Sequence, residues 1–183
     1  GNMGFSRLIL RLAGWKVRVM VPDYPKAIIC VAPHTSNWDF IIGKLAYASV
    51  NRKAGFLMKK SWFFFPLGCI FRAMGGIPVS RGSKDNKSSV DNLVQLFNSK
   101  SRLTLAITPE GTRSLTTHWR TGFLNIARIA NVPILLAAID FKDKVARIEK
   151  TFFPTGDNEA DLRAIKDYYK GVTGKYPEKF SIE

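Results

Sequence analysis

Ala27-Ile28-Ile29-Cys30-Val31-Ala32-Pro33-His34-Thr35-Ser36-Asn37-Trp38-Asp39-Phe40 is the stretch on which the fold turns. Its first six residues are uniformly apolar and rich in β-branched side chains, and Pro33 closes the run. A short run with no polar alternation reads as a strand buried on both faces. From Trp38 to Val50 the apolar spacing becomes helical. A buried strand feeding straight into a helix is the opening of an α/β unit.

Outward from this segment the same alternation recurs. Further strands are predicted at Gly55–Met58, Ile77–Ser80, Leu103–Thr108, Pro133–Ile139 and Val145–Ile148. Helices are predicted at Phe5–Ala13, Trp38–Val50, Phe65–Met74, Asp85–Asn98, Phe123–Ala130 and Asp161–Tyr169. The pattern predicts a single α/β domain with a mixed, mostly parallel sheet flanked by helices. The 183 residues, 46% of them hydrophobic, suffice for one core and exclude a disordered chain. No internal repeat, low-complexity tract or linker divides it.

Residues 1–20 read as an N-terminal amphipathic segment and 21–183 as the main domain. At 100° per residue Phe5, Leu8, Ile9, Leu12, Trp15 and Val19 share one helical face, with Arg7, Arg11 and Arg18 roughly opposite. Two readings fit: an interfacial helix with its apolar face in lipid, or a surface helix packed on the domain's own core.

The formal charge is +14 and uneven. Residues 1–100 hold 15 Lys and Arg against 4 Asp and Glu. Such a half favours an anionic partner: phospholipid head groups, a nucleotide-bearing substrate, an acidic protein or nucleic acid. No helix-turn-helix, zinc-finger or RNA-recognition signature supports nucleic acid. Cys30 and Cys69 sit in apolar runs and read as buried, reduced thiols. No apolar stretch is long enough to span a bilayer, and no signal-cleavage pattern is present. The expectation is a cytoplasmic protein that at most lies on the membrane face.

Only two histidines exist, His34 and His118. His34 lies at a strand exit leading into a helix, where ligands gather in open α/β sheets. Asp39 follows five residues later; a fold-back of the intervening turn lets its carboxylate meet the ring, fix the tautomer and stabilise an imidazolium. No Gly-x-Ser-x-Gly elbow occurs, neither cysteine has a basic neighbour, and no histidine pair has metal-ligand spacing. A base acting directly on a substrate hydroxyl fits these residues; so does a histidine held by structural hydrogen bonds. His118 reads as a surface or structural residue.

A second constellation follows the strand Leu103–Thr108: Pro109-Glu110-Gly111-Thr112-Arg113-Ser114. Gly111 permits close backbone approach to a ligand, and Thr112 and Arg113 suit a phosphate, with Glu110 organising the arginine or supporting the base. Gly75-Gly76-Ile77-Pro78-Val79-Ser80-Arg81 brings another arginine to a strand end. Arg81 and Arg113 either clamp one phosphate or are solvated arginines on turns. Ser61 to Phe71 packs five aromatics into eleven residues beside Lys59, Lys60 and Arg72. That stretch suits an acyl tunnel, a lipid contact or plain core.

Taken together, these segments resemble the glycerolipid acyltransferase family, typified by the 1-acylglycerol-3-phosphate acyltransferases. Its first motif, His-x4-Asp, is matched by His34 and Asp39. Its second, a Gly-x-Ile-like stretch ending in arginine, is matched by Gly76 to Arg81. Pro109 to Arg113 matches its Pro-Glu-Gly-Thr-Arg motif, and Val132-Pro133-Ile134 its fourth, in the family's order. The resemblance implies transfer of a fatty acyl group from acyl-CoA or acyl-carrier protein to a lysophospholipid hydroxyl. His34 would be general base, Asp39 its orienting partner, and Arg81, Glu110, Gly111, Thr112 and Arg113 the acceptor's phosphate site. No metal or bound cofactor is implied, and the enzyme would rest on the cytoplasmic membrane face. The first motif departs from many members in carrying Trp38, which opens a lyso-aminolipid as alternative acceptor. A hydrolase in which His34 activates water on a thioester is the remaining alternative.

Overall fold

A computed structural model describes residues 2–33, 37–59, 63–79, 86–109, 119–172, 174–175, 177–179 and 181–182. In chain order its elements are α1 (Asn2–Leu12), β1 (Lys16–Val19), β2 (Lys26–Ala32), α2 (Asn37–Ser49), β3 (Gly55–Lys59), α3 (Leu67–Ala73), β4 (Gly76–Val79), α4 (Asn86–Ser99), β5 (Leu103–Ile107), α5 (Gly122–Ala130), β6 (Ile134–Asp140), β7 (Val145–Phe152) and α6 (Asn158–Tyr168). Among the described residues, seven strands form one sheet in the order β1-β7-β6-β2-β5-β3-β4. Only β6 and β7 pair antiparallel; the other five pairings are parallel. This is the expected mixed, mostly parallel sheet flanked by helices.

The unbroken apolar runs are explained by the layers. In β2, Ile28, Cys30 and Ala32 face one cluster with Phe97 of α4, Leu124 of α5 and Ile165 of α6. The alternate residues Ala27 and Ile29 face the other layer, where Tyr47 of α2 packs. Strand β6 divides in the same way: Ile134, Leu136 and Ala138 go to the first cluster, Leu135 and Ala137 to the second. Side chains alternate across a strand, so helices on both faces demand apolar residues at every position.

Every predicted strand and helix is present, with ends shifted by a few residues, and one strand was not foreseen. The helical face drawn from Phe5 to Val19 stops at Leu12. Gly14 takes φ +81°, and Lys16–Val19 then forms β1, parallel to β7. Lys16-Val17-Arg18-Val19 alternates polar and apolar with period two, the pattern of an edge strand. Trp15 and Val19 therefore do not belong to the helical stripe. Helix α1 docks on α2 through buried Ser6 and Leu10, and Arg7 Nε donates to Ser49 O at 2.9 Å. Phe5, Leu8 and Leu12 are 64%, 54% and 78% exposed, so the apolar stripe of α1 points away from the protein's core. Cys30 is buried as expected, but Cys69 is exposed. Helix α3 turns Gly68 inward, so that an added Cβ there would meet Phe63 O at 2.8 Å, and leaves Cys69 and Ile70 outside. No helix among the described residues is long and apolar enough to cross a membrane.

Candidate active site

Strands β6, β2, β5, β3 and β4 are consecutive and parallel, so their carboxyl ends share one edge. Register aligns those ends closely. Ala32 pairs with Ala138, and Lys59 with Val79. Cys30 pairs with Ile107 and Phe56 with Ala106. Strand β5 ends at Ile107, whose partner Cys30 lies two residues before the end of β2. The crevice at such an edge is the general ligand position in open α/β sheets.

The first three motifs continue from the carboxyl ends of β2, β4 and β5, whereas Val132-Pro133-Ile134 enters β6 at its other end. His34, Arg81, Glu110, Gly111, Thr112 and Arg113 lie outside the described residues, as do Lys60 to Trp62 and His118. Their flanking residues are described. Pro33 and Asn37 bracket the first motif, at the end of β2 and the start of α2. Arg120 N donates to Pro109 O at 2.7 Å, joining the two ends of the segment 110–118 beside the β5 end. Neighbouring strands stand about 4.8 Å apart, so the ends of β2 and β5 are adjacent, whereas the end of β4 is three spacings, roughly 14 Å, from that of β2. The sheet therefore brings together the strand ends that carry the His34 and Glu110–Arg113 motifs. It sets the end of β4, after which Arg81 follows in sequence, three strands farther along the edge.

Asp39 is described in full. It is the third residue of α2 and only 1% exposed. The first turn of a helix carries unpaired N–H groups and a partial positive charge, which favour a carboxylate there. Its neighbour Trp38 turns outward and is 51% exposed. One face of α2 thus sends an acid inward at the end of β2, and the next position sends an indole to the rim.

Farther along α2, Lys44 donates to Met74 O and lies 5.4 Å from the centroid of Phe56, which ties α2 to the corner between α3 and β4. Half-burial there lowers the Lys44 pKa below its ordinary value, because desolvation penalises the ammonium.

Two contacts at this edge were not read from the sequence. Tyr169 Oη donates to Cys30 O and Ala137 O at 2.9 and 3.0 Å, bridging β2 and the middle of β6. Lys175 Nζ lies 4.8 Å from the ring centroid of Trp38. Both arise from the chain after α6, and no local pattern marks a partner so distant in sequence.

A family model described as Acyltransferase matches residues 17–140, well over half the chain, from β1 to the end of β6. No curated protein matches the chain in sequence. Among solved structures it is similar to the crystal structure of the 1-acyl-sn-glycerophosphate (LPA) acyltransferase, PlsC, from Thermotoga maritima. That likeness has a TM-score of 0.56 at 16% identity and covers 94% of this chain and 80% of the other; it bears on the fold. The expected enzyme class and fold are thereby borne out, and the chain belongs to the acyltransferase family.

Proposed function

We propose that the protein moves a fatty acyl group from acyl-CoA or acyl-carrier protein to the hydroxyl of a lysophospholipid of the 1-acylglycerol-3-phosphate type. The observation that carries this reading is the buried carboxylate of Asp39, in the first turn of α2 beside the aligned ends of β2 and β5. A carboxylate so placed suits the partner of a base on the preceding turn.

In this reading His34 takes the proton of the acceptor hydroxyl while Asp39 orients the ring and stabilises the imidazolium. The hydroxyl oxygen attacks the thioester carbonyl, the carbon–sulfur bond breaks, and the departing thiolate recovers the proton from His34. Arg81, Glu110, Gly111, Thr112 and Arg113 hold the acceptor's phosphate; the chemistry needs no metal or resident cofactor. The exposed stripe Phe5, Leu8 and Leu12, on a strongly basic chain, supports residence on an anionic, cytoplasmic membrane face.

A labelled acyl-CoA and acyl-carrier-protein assay against a lysolipid panel tests this. Transfer to 1-acylglycerol-3-phosphate, nearly abolished in a folded His34→Ala variant, is the expected result. Transfer confined to a lyso-aminolipid would overturn the acceptor, and thiol release independent of any acceptor would make the enzyme a hydrolase. Full activity in His34→Ala would overturn the base.

A further inference from the structure

The aromatic stretch around α3 suits a tunnel, a lipid contact or plain core in sequence, and its exposure separates the three. Phe64 and Phe65 are 54% and 87% exposed, Ile70 is 52% exposed, and Met74 is exposed as well. A core or a tunnel buries its lining. Gly68 is the one buried residue of α3, and its missing side chain lets the backbone lie against Phe63. The helix is therefore seated on a glycine, with apolar side chains turned outward.

Topology puts this patch in the same layer as α1. The crossovers from β2 to β3 and from β3 to β4 join parallel strands and step the same way along the sheet. Right-handed crossovers in one direction place their helices, α2 and α3, on one face. The steps from β4 to β5 and from β5 to β6 run back, and α4 and α5 pack on the other face. On α2, Ile42 and Ala46 pack with Leu10 of α1. Lys44, which bonds Met74 O at the end of α3, lies roughly opposite them at about 100° per residue. Helix α2 thus stands between α1 and α3, with Trp38 and Ile41 exposed on it.

Charge names the occupant. From Phe40 to Lys84 the sequence holds eight Lys and Arg and no Asp or Glu, and residues 1–22 hold four and none. Arg72 on α3 and Lys53 before β3 are exposed. The opposite layer differs: its helices present pairs such as Arg163 with Glu159, and Ile129 is its one exposed large hydrophobic side chain among the described residues. Apolar side chains set among cations alone suit an anionic lipid surface, the rings entering the acyl boundary and the cations staying at the head groups.

We propose that Phe64, Phe65 and Ile70 form a second docking site, separate from α1, for an anionic phospholipid bilayer. This deepens the membrane residence proposed above and rests on it. A single attachment through α1 leaves the protein free to pivot. Attachments on both flanks of α2 fix its orientation and hold the start of α2, where Asp39 lies, at a constant distance from the lipid. Two linked contacts also bind more tightly than either one.

Cys69 supplies the readout, because it is exposed within the patch while Cys30 is buried. The full chain, labelled at Cys69 with an environment-sensitive fluorophore, is mixed with vesicles of phosphatidylglycerol and phosphatidylcholine or of phosphatidylcholine alone. The emission should shift to the blue, and nitroxide-bearing lipids should quench it, on the anionic vesicles. Replacing Phe64, Phe65 and Ile70 by Ser should weaken co-sedimentation with those vesicles at least about tenfold, the scale of losing apolar side chains from a lipid boundary. Phe65→Glu, at the most exposed of these positions, carries the same expectation if the triple change disturbs folding. Wild-type binding by these variants, or a Cys69 label that neither shifts nor is quenched on bound protein, would overturn the α3 site while leaving α1 as the lipid contact. A wild-type chain that binds no anionic vesicle would overturn the membrane residence itself, and the α3 site with it. A dimer in vesicle-free solution that Phe65→Glu splits would assign the patch to a second copy of the chain and overturn the proposal.

Discussion

The Tyr169 hydroxyl reaches Cys30 O at 2.9 Å although 139 residues separate them, and it shares its proton with Ala137 O on the neighbouring strand. One phenol thus fastens the chain after α6 to two neighbouring strands of the sheet. Its ring also packs edge-on against Trp119, which follows the Glu110–Arg113 segment. Tyr169→Phe keeps the ring and deletes only the donor. Loss of a buried hydrogen bond costs about 1–2 kcal/mol, so Tm should fall by about 2–8 °C in a domain of this size. Thermal denaturation checks this, and an unchanged Tm would mean the carbonyls need no donor from the phenol.

Asp39→Asn preserves volume and removes the charge at the start of α2. If the carboxylate stabilises an imidazolium, kcat should fall about a hundredfold or more while near-ultraviolet circular dichroism stays native. Wild-type kcat in a folded variant would leave Asp39 with a purely structural part.

How far the sequence disclosed the fold differs from element to element. Strands β2 and β6 were legible from their apolar runs because central strands with helices on both faces leave no position polar. Strand β1 escaped because Lys16-Val17-Arg18-Val19 is too short to establish a period, and Trp15 and Val19 happen to align with a helical wheel that Gly14 interrupts. Cys69 was misjudged because an apolar neighbourhood in sequence says nothing about which side of a seven-residue helix turns inward. Asp39 was legible through its spacing from His34. The pairing of Ala32 with Ala138 and of Lys59 with Val79 was not, since register between strands is set by packing. The contact of Lys175 with Trp38 is of the same kind.

The apolar stripe of α1 carries the membrane reading. Phe5, Leu8 and Leu12 face away from the core, so replacing all three by Ser should leave Tm nearly unchanged. Each apolar side chain transferred into a lipid boundary contributes on the order of 1–3 kcal/mol, and the triple variant should bind anionic phospholipid vesicles at least about tenfold more weakly. Co-sedimentation with such vesicles measures this. Equal binding of both proteins would move the lipid contact away from α1.

Alkaline pH should weaken the fold through two phenols. Burial pushes the Tyr47 pKa above 10.0 against the opposing influence of Arg52, and burial likewise raises Tyr168 against the opposing influence of the Glu149 backbone and Arg147. The unfolded chain releases these protons near pH 10 while the folded chain still holds them. Between those points the folded state binds more protons, so stability falls as pH rises, whereas below pH 10 the contribution is fully present. The half-buried Lys44 works in the opposite sense, because its lowered pKa makes the folded state bind fewer protons below pH 10.5. Comparison with a Tyr47→Phe/Tyr168→Phe variant cancels the Lys44 effect. Urea midpoints of the wild type should drop more steeply between about pH 10 and 11 than those of the double variant, with phenolate absorbance at about 295 nm appearing late in the native protein. Parallel midpoint curves for the two proteins would show that neither phenol is held protonated by the fold.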